Sequence, residues 1–188
     1  MFKKLYRRFL LWLSTTKAFE WVLLHVIPFI RFTTYYTSMK GSEFHKMYKV
    51  LKPGHIILTI DKKKLTTFLI PGEFAHAAFC VSKNQSWEVS EMTHHHYTKS
   101  TFADLCFQSD RVVILECEDF DQDYIIKMIR RCKSFEDVLY DVEFKLGIEA
   151  LSCSELVYES DFERRLDVSL EDVAGLGRPY ISPTGLYR

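Results

Sequence analysis

The chain has 188 residues, a length that suits one domain with a real core. Apolar residues make up 47% and charged residues 27%, which is a globular composition and not that of a disordered chain. Lys plus Arg and Asp plus Glu both number 25, so the formal net charge is zero; no global positive field points to a nucleic-acid partner.

In chain order, residues 2–13 come first. Phe2, Leu5, Tyr6, Phe9, Leu10 and Leu13 recur at helical spacing, with Lys3, Lys4, Arg7 and Arg8 off that face. A second helical run, Ala18 to Ile27, is predicted to end before Pro28. Phe9–Leu13 is short for the apolar core of a signal peptide, and no small-x-small cleavage site follows. Lys17, Glu20 and His25 interrupt any window of membrane-spanning length. Two placements remain for the first helix, on an anionic membrane surface or packed on the domain.

From about residue 50 the pattern turns to short β-rich runs. Strands are predicted at His55–Ile60, after Pro53-Gly54, and at His76–Val81, after Pro71-Gly72. A polar turn over Ser82–Ser86 leads to a strand at Trp87–Met92, and Arg111–Cys117 is a further strand. Asp121–Phe135 reads as a helix with Tyr124, Ile125, Met128, Ile129 and Cys132 as its apolar stripe, acids in its first turn and bases in its last. A last helix starts near Ser152. Strands in the middle with helices before and after predict an α+β domain.

Five cysteines are present, an odd number without a close Cys-x-x-Cys pair. That pattern fits neither a disulfide framework nor a structural zinc site, and a reducing compartment is the simpler setting. The expectation is a cytoplasmic protein, peripheral to a membrane if its first helix binds lipid, with secretion as the alternative. Cys153 stands out. Ser152 and Glu155 have capping-box spacing, which places Cys153 at the first helical position. Backbone N–H groups and the positive end of the helix dipole converge there, favouring a thiolate and able to hold an oxyanion. Cys132 lies on an apolar stripe, and Cys106 and Cys117 lie among apolar neighbours, so all three read as packing. Cys80 is four strand residues from His76, about 13 Å along an extended chain, and also reads as core.

A thiol nucleophile needs an imidazole beside it and a third group on the other ring nitrogen. Of seven histidines, His76 sits at the mouth of a strand, flanked by alanines that leave room around the ring. Glu88 and Glu91 lie on the next strand. Glu91 shares a face with Trp87 and Val89, so it is the carboxylate expected to point inward. A four-residue turn would pair position 76 with 91, whereas a five-residue turn would put Glu88 opposite Cys80; both leave Glu91 nearer to His76. His94-His95-His96 alternate faces if extended and do not converge on one ion. No nucleotide-binding glycine motif is present. Neither metal nor cofactor is expected.

These residues have a familiar order. Pro53-Gly54-x-Ile56-Ile57-Leu58 is followed by Ile70-Pro71-Gly72-Glu73-Phe74-Ala75-His76-Ala77-Ala78 and a strand with Glu91. Tyr140-Asp141-x-x-Phe144, Cys153-Ser154-Glu155-Leu156-Val157-Tyr158 and a closing Ile181-Ser182-Pro183 complete it. The pattern resembles the circularly permuted papain-like enzymes of the NlpC superfamily, YiiX/YaeF-like branch, in which histidine precedes cysteine. The resemblance covers residues 50–186. It implies an antiparallel sheet packed against the nucleophile helix, with Cys153 as nucleophile, His76 as base and Glu91 as third group. His55 departs from the pattern, which has Asp after Pro-Gly.

Residues 1–49 match nothing in that pattern and read as an N-terminal helical extension; residues 50–188 read as the catalytic domain. Three function classes follow from the resemblance. One is a thiol-dependent amidase or peptidase working through an acyl-enzyme. The second is a lipid acyl hydrolase or acyltransferase at a membrane surface, which the basic residues of 2–13 suit. The third is an idle binding module, against which the intact Cys153, His76 and Glu91 count. The expected partners are a peptide, N-acyl or lipid substrate and an anionic membrane surface.

Overall fold

The structure, a computed structural model, describes residues 16–32, 38–70, 72–94, 96–142, 145–172 and 179–187. The helix predicted over 2–13 lies outside them, as do His95 and Phe144. Helix α1 spans Lys17–His25, with Thr16 as N-cap. It stops two residues earlier than Ile27, and a 3-10 turn over Ile27–Phe29 then takes Pro28 into its first positions, where a missing N–H costs nothing. Helix α2, Gly41–Val50, was not foreseen. Its Phe44, Met47 and Tyr48 pack against a core cluster that includes Leu51, Ile57 and Phe102.

The four predicted strands and a fifth, polar one pair into one antiparallel sheet: β1 Ile56–Ile60, β2 His76–Lys83, β3 Trp87–Met92, β4 Tyr97–Thr101, which was not predicted, and β5 Arg111–Leu115. Their order is β4-β3-β2-β1-β5. The first four form a meander, and β5 returns to the open edge of β1. A short helix α3, Leu65–Leu69, joins β1 to β2, and α4, Phe102–Phe107, follows β4. Period-two alternation divides the sheet residues between two cores. Ile56, Leu58, Ala77 and Phe79 belong to one; Ile57, Ala78, Cys80 and Val89 belong to the other.

The β2–β3 register corrects both hairpins considered from sequence. Strand β2 continues to Lys83, with an irregularity between Cys80 and Ser82, so Ala78 is the partner of Glu91 and Cys80 that of Val89. Ser82 and Lys83 are not part of the turn; they stay paired with Glu88 and Trp87. Inserting one residue into a ladder shifts every partner beyond it.

Helix α5, Gln122–Lys133, and helix α6, Cys153–Ser160, cover the first core, joining Met128, Cys132, Leu156 and Val157 to Phe79. Small pairs complete the domain: β6 Leu139–Tyr140 with β7 Ala150–Leu151, and β8 Leu170–Asp172 with β9 Pro179–Ile181, before a last 3-10 turn at Thr184–Leu186. Gly72 fastens this end to the approach to β2. Its φ is +110°, and a Cβ there would meet Thr184 Oγ1 at 2.2 Å. Thr184 Oγ1 accepts from Phe74 N at 3.0 Å. Only glycine allows the chain that delivers His76 to pass so close.

Candidate active site

Ser152 is the N-cap of α6, and the reciprocal bonds of a capping box hold it. Its Oγ accepts from Glu155 N at 3.4 Å, and Glu155 Oε2 accepts from Ser152 N at 2.8 Å. Cys153 is the first helical residue and is 3% exposed. Ser154 Oγ donates to Ile181 O at 2.5 Å, tying the helix start to β9. The N–H groups of the first turn have no intrahelical partner, and the nucleophile position sits among them.

His76 opens β2 opposite Thr59 of β1. Its Nε2 donates to Glu91 Oε2 at 2.6 Å, which leaves Nδ1 as the nitrogen free for a thiol. Cys153 lies within hydrogen-bonding reach of the same ring. Glu91 reaches His76 diagonally, because its direct partner is Ala78 and side chains two residues apart on a strand share a face. Ser100 Oγ donates to the other carboxylate oxygen, Oε1. The structure thus brings Cys153, His76 and Glu91 together.

The electrostatics follow from this packing. Burial drives the His76 imidazolium down, but the Cys153 charge, the bond to that sulfur and the Glu91 carboxylate outweigh it and raise the ring to about 10. Glu91 is pushed up by burial and brought below its ordinary value by His76, Ser100 and Lys64. Burial pushes Tyr140 up, and the charges of Cys153, Asp141 and Glu155 add to it; this tyrosine borders the nucleophile. Glu155 is raised to about 7, chiefly by burial, against the pull of its Ser152 bonds. Its Oε1 is buried without a hydrogen-bond partner.

The other cysteines have none of this support. Burial raises Cys80 and Cys106 to about 12, and Cys117 and Cys132 to about 11. Glu88 accepts from Ser82 Oγ at 3.0 Å, away from His76. His55 is buried at the far end of β1, with Nε2 3.7 Å from Glu116, and takes no part in the site. Sequence reasoning missed Ser100 and Lys64. For Ser100 a signal existed: Tyr97–Thr101 runs into a capping box at Thr101 and Asp104, which marks the end of a strand. Among the described residues, no group of three His, Cys, Asp or Glu side chains is arranged to hold a metal ion.

Comparison with known proteins agrees with this architecture. Residues 50–185 match the family described as permuted papain-like amidase enzyme, YaeF/YiiX, C92 family, and the chain belongs to that family. The crystal structure of the metalloprotein yiiX from Escherichia coli O157:H7 has the same fold, with a TM-score of 0.62 and 14% identity over 72% of this chain and 91% of that one. None of the curated proteins matches the chain.

Proposed function

We propose that this member of the permuted papain-like amidase family cleaves an amide bond through an acyl-enzyme, using Cys153, His76 and Glu91. Family membership supports a hydrolase of the amidase type. The observation that carries the finer reading is the position of His76, bonded to Glu91 at 2.6 Å and within reach of Cys153 on the same ring.

The chemistry then runs in two halves. The Cys153 thiolate attacks the carbonyl carbon, and the carbonyl oxygen takes up the negative charge against N–H groups at the start of α6. The tetrahedral species collapses as the C–N bond breaks, and the His76 imidazolium gives its proton to the departing amine. Water next attacks the thioester while neutral His76 accepts a proton from it. The acid leaves, and the sulfur recovers the thiolate. Glu91 holds the ring orientation throughout and stabilises its charged form.

A membrane-surface acyl substrate is the second reading, favoured by exposed aromatic side chains on the segment 21–32, whose end bonds to the chain just before α3. Trp21, Phe29 and Phe32 are 56%, 67% and 61% exposed, and Phe32 N donates to Lys63 O at 2.9 Å, beside Lys62 and Lys64. Exposed aromatics next to lysines suit an anionic bilayer. Among the described residues no helix is long and apolar enough to cross a membrane.

The test is turnover of peptide, N-acyl and phospholipid panels by the intact chain. Release of amine from an amide, lost in Cys153→Ala and His76→Asn, is the expected result. Undiminished cleavage by Cys153→Ala would overturn the assignment.

A further inference from the structure

Arg31 and Lys64 form an isolated antiparallel bridge. The flanking backbone bonds, Phe32 N to Lys63 O at 2.9 Å and Leu65 N to Ile30 O at 3.2 Å, make them a non-hydrogen-bonded pair. That is the ladder position where opposed side chains come closest, with Cα atoms about 4.5 Å apart and both side chains on one face. Two cations there repel and weaken the pairing.

Asp61 and Glu91 lie near enough to offset part of this repulsion at Lys64, but among the described residues no carboxylate bonds to either side chain. Among the described residues neither Arg31 nor Lys64 has a side-chain hydrogen bond or ion pair, and Lys64 is partly buried. The nearby acids are engaged elsewhere: Asp61 Oδ1 accepts from Lys63 N, Asp110 pairs with Lys63 Nζ at 2.8 Å, and Glu91 serves His76 and Ser100. Lys64 is nonetheless close enough to Glu91 for each charge to act on the other. Burial pushes the Lys64 amine down, Asp61 and Glu91 support its charge, and Arg31 opposes it. The pair lies beside His76 and Glu91 and has no directly bonded counter-ion among the described residues.

We propose that Arg31 and Lys64 form an anion-binding subsite and that the acyl compound attacked by Cys153 carries a carboxylate or phosphate seated between them. This deepens the amidase reading and rests on it. The leaving amine or the acyl group then bears an acidic substituent, and a neutral analogue of the same shape is a poorer substrate because it brings no bonded counter-ion to the two cations.

The experiment uses the intact chain and two small thiol reagents, iodoacetate and iodoacetamide, which differ in charge. Alkylation rates at Cys153 are followed by mass mapping, and the ratio of the two rates is read so that general changes in thiol reactivity cancel. Lys64→Gln and Arg31→Gln should each lower the iodoacetate-to-iodoacetamide ratio by roughly 5-fold, the effect of removing one charge at a partly solvated distance. Lys64→Arg should retain the ratio. Arg31 is exposed, so its variant tests the subsite even if Lys64→Gln does not fold. Inorganic phosphate should slow iodoacetate in the parent chain if a small anion fills the site. Slowing by phosphatidylglycerol vesicles alone, and not by phosphatidylcholine vesicles, would assign the site to a lipid headgroup. An unchanged ratio in Arg31→Gln and in the double variant overturns the subsite. A Cys153 inert to both reagents removes the nucleophile assignment instead, a separate failure.

Discussion

His76 and Glu91 meet at 2.6 Å although they are not partners in the sheet; Glu91 lies opposite Ala78, one same-face step along β2. The diagonal reach places the carboxylate beneath Nε2, with Ser100 Oγ on its second oxygen. Removing charge while keeping shape should therefore damage turnover more than stability. Glu91→Gln is expected to lower kcat by about 10²-fold or more, Ser100→Ala by less, and Glu88→Gln hardly at all. A kinetic ranking with Glu88 ahead of Glu91 would refute this arrangement.

The five thiols should separate by reactivity. Cys153 has an imidazolium beside it, whereas burial raises the other four to about 11 or 12. Iodoacetamide at neutral pH should modify Cys153 first, although the residue is only 3% exposed. Peptide mapping that finds Cys80 or Cys106 labelled sooner would transfer the nucleophile role elsewhere.

The pH dependence of stability should carry the signature of His76. Its folded value, about 10, lies above the ordinary 6.5, so the folded chain holds a proton that the unfolded chain releases. The resulting stabilisation is complete below the unfolded value and fades as pH rises through about 10. Cys153→Ser removes the thiolate that contributes to the shift, and its His76 should titrate lower. Urea unfolding across this window and imidazole NMR measure both effects; a His76 titration identical in the two proteins would count against the thiolate contact.

Glu155 should behave in the opposite regime for an acid. Its folded value of about 7 exceeds the ordinary 4.5, so folding favours the protonated form and stability declines as pH rises from the lower value through the higher. Glu155→Gln should flatten this decline while keeping an acceptor for Ser152 N. Glu155→Ala loses the capping box as well, at a cost of about 1 kcal/mol. Unfolding curves for the three proteins at acid and neutral pH decide the matter, and a parallel decline in the glutamine variant would reject it.

The membrane reading can be tested with vesicles. The full chain should co-sediment with anionic liposomes, and salt should weaken this. Deleting residues 1–16 should release part of the binding, and Phe29→Ser with Phe32→Ser the rest, with Cys153 still reactive. If the truncated chain aggregates, the first helix belongs to the core, and the lipid substrate loses its main support.

Local signals alone placed several parts of this protein. The Ser152–Glu155 spacing located the start of α6 and put Cys153 at its first position, because a capping box is satisfied within four residues. The apolar stripe of α5 located Cys132 in the core, and the alternation of Trp87–Met92 delimited β3 to the residue. Helix α2 was legible as well, since Phe44, Met47, Tyr48 and Leu51 recur at i, i+3, i+4 and i+7, the stripe that packs with Phe102; the reading from sequence passed over it. The β2–β3 register was illegible, since the irregularity at Cys80–Ser82 arises from how the sheet bends and leaves no mark in residue type. Ser100 and Lys64 come to Glu91 from segments nine and 27 residues away, and only chain folding brings them there. Capping and periodicity are short-range physics and can be read from neighbouring residues; register, counter-ions and the meeting of His76 with Cys153 depend on long-range packing, which the tertiary structure alone decides.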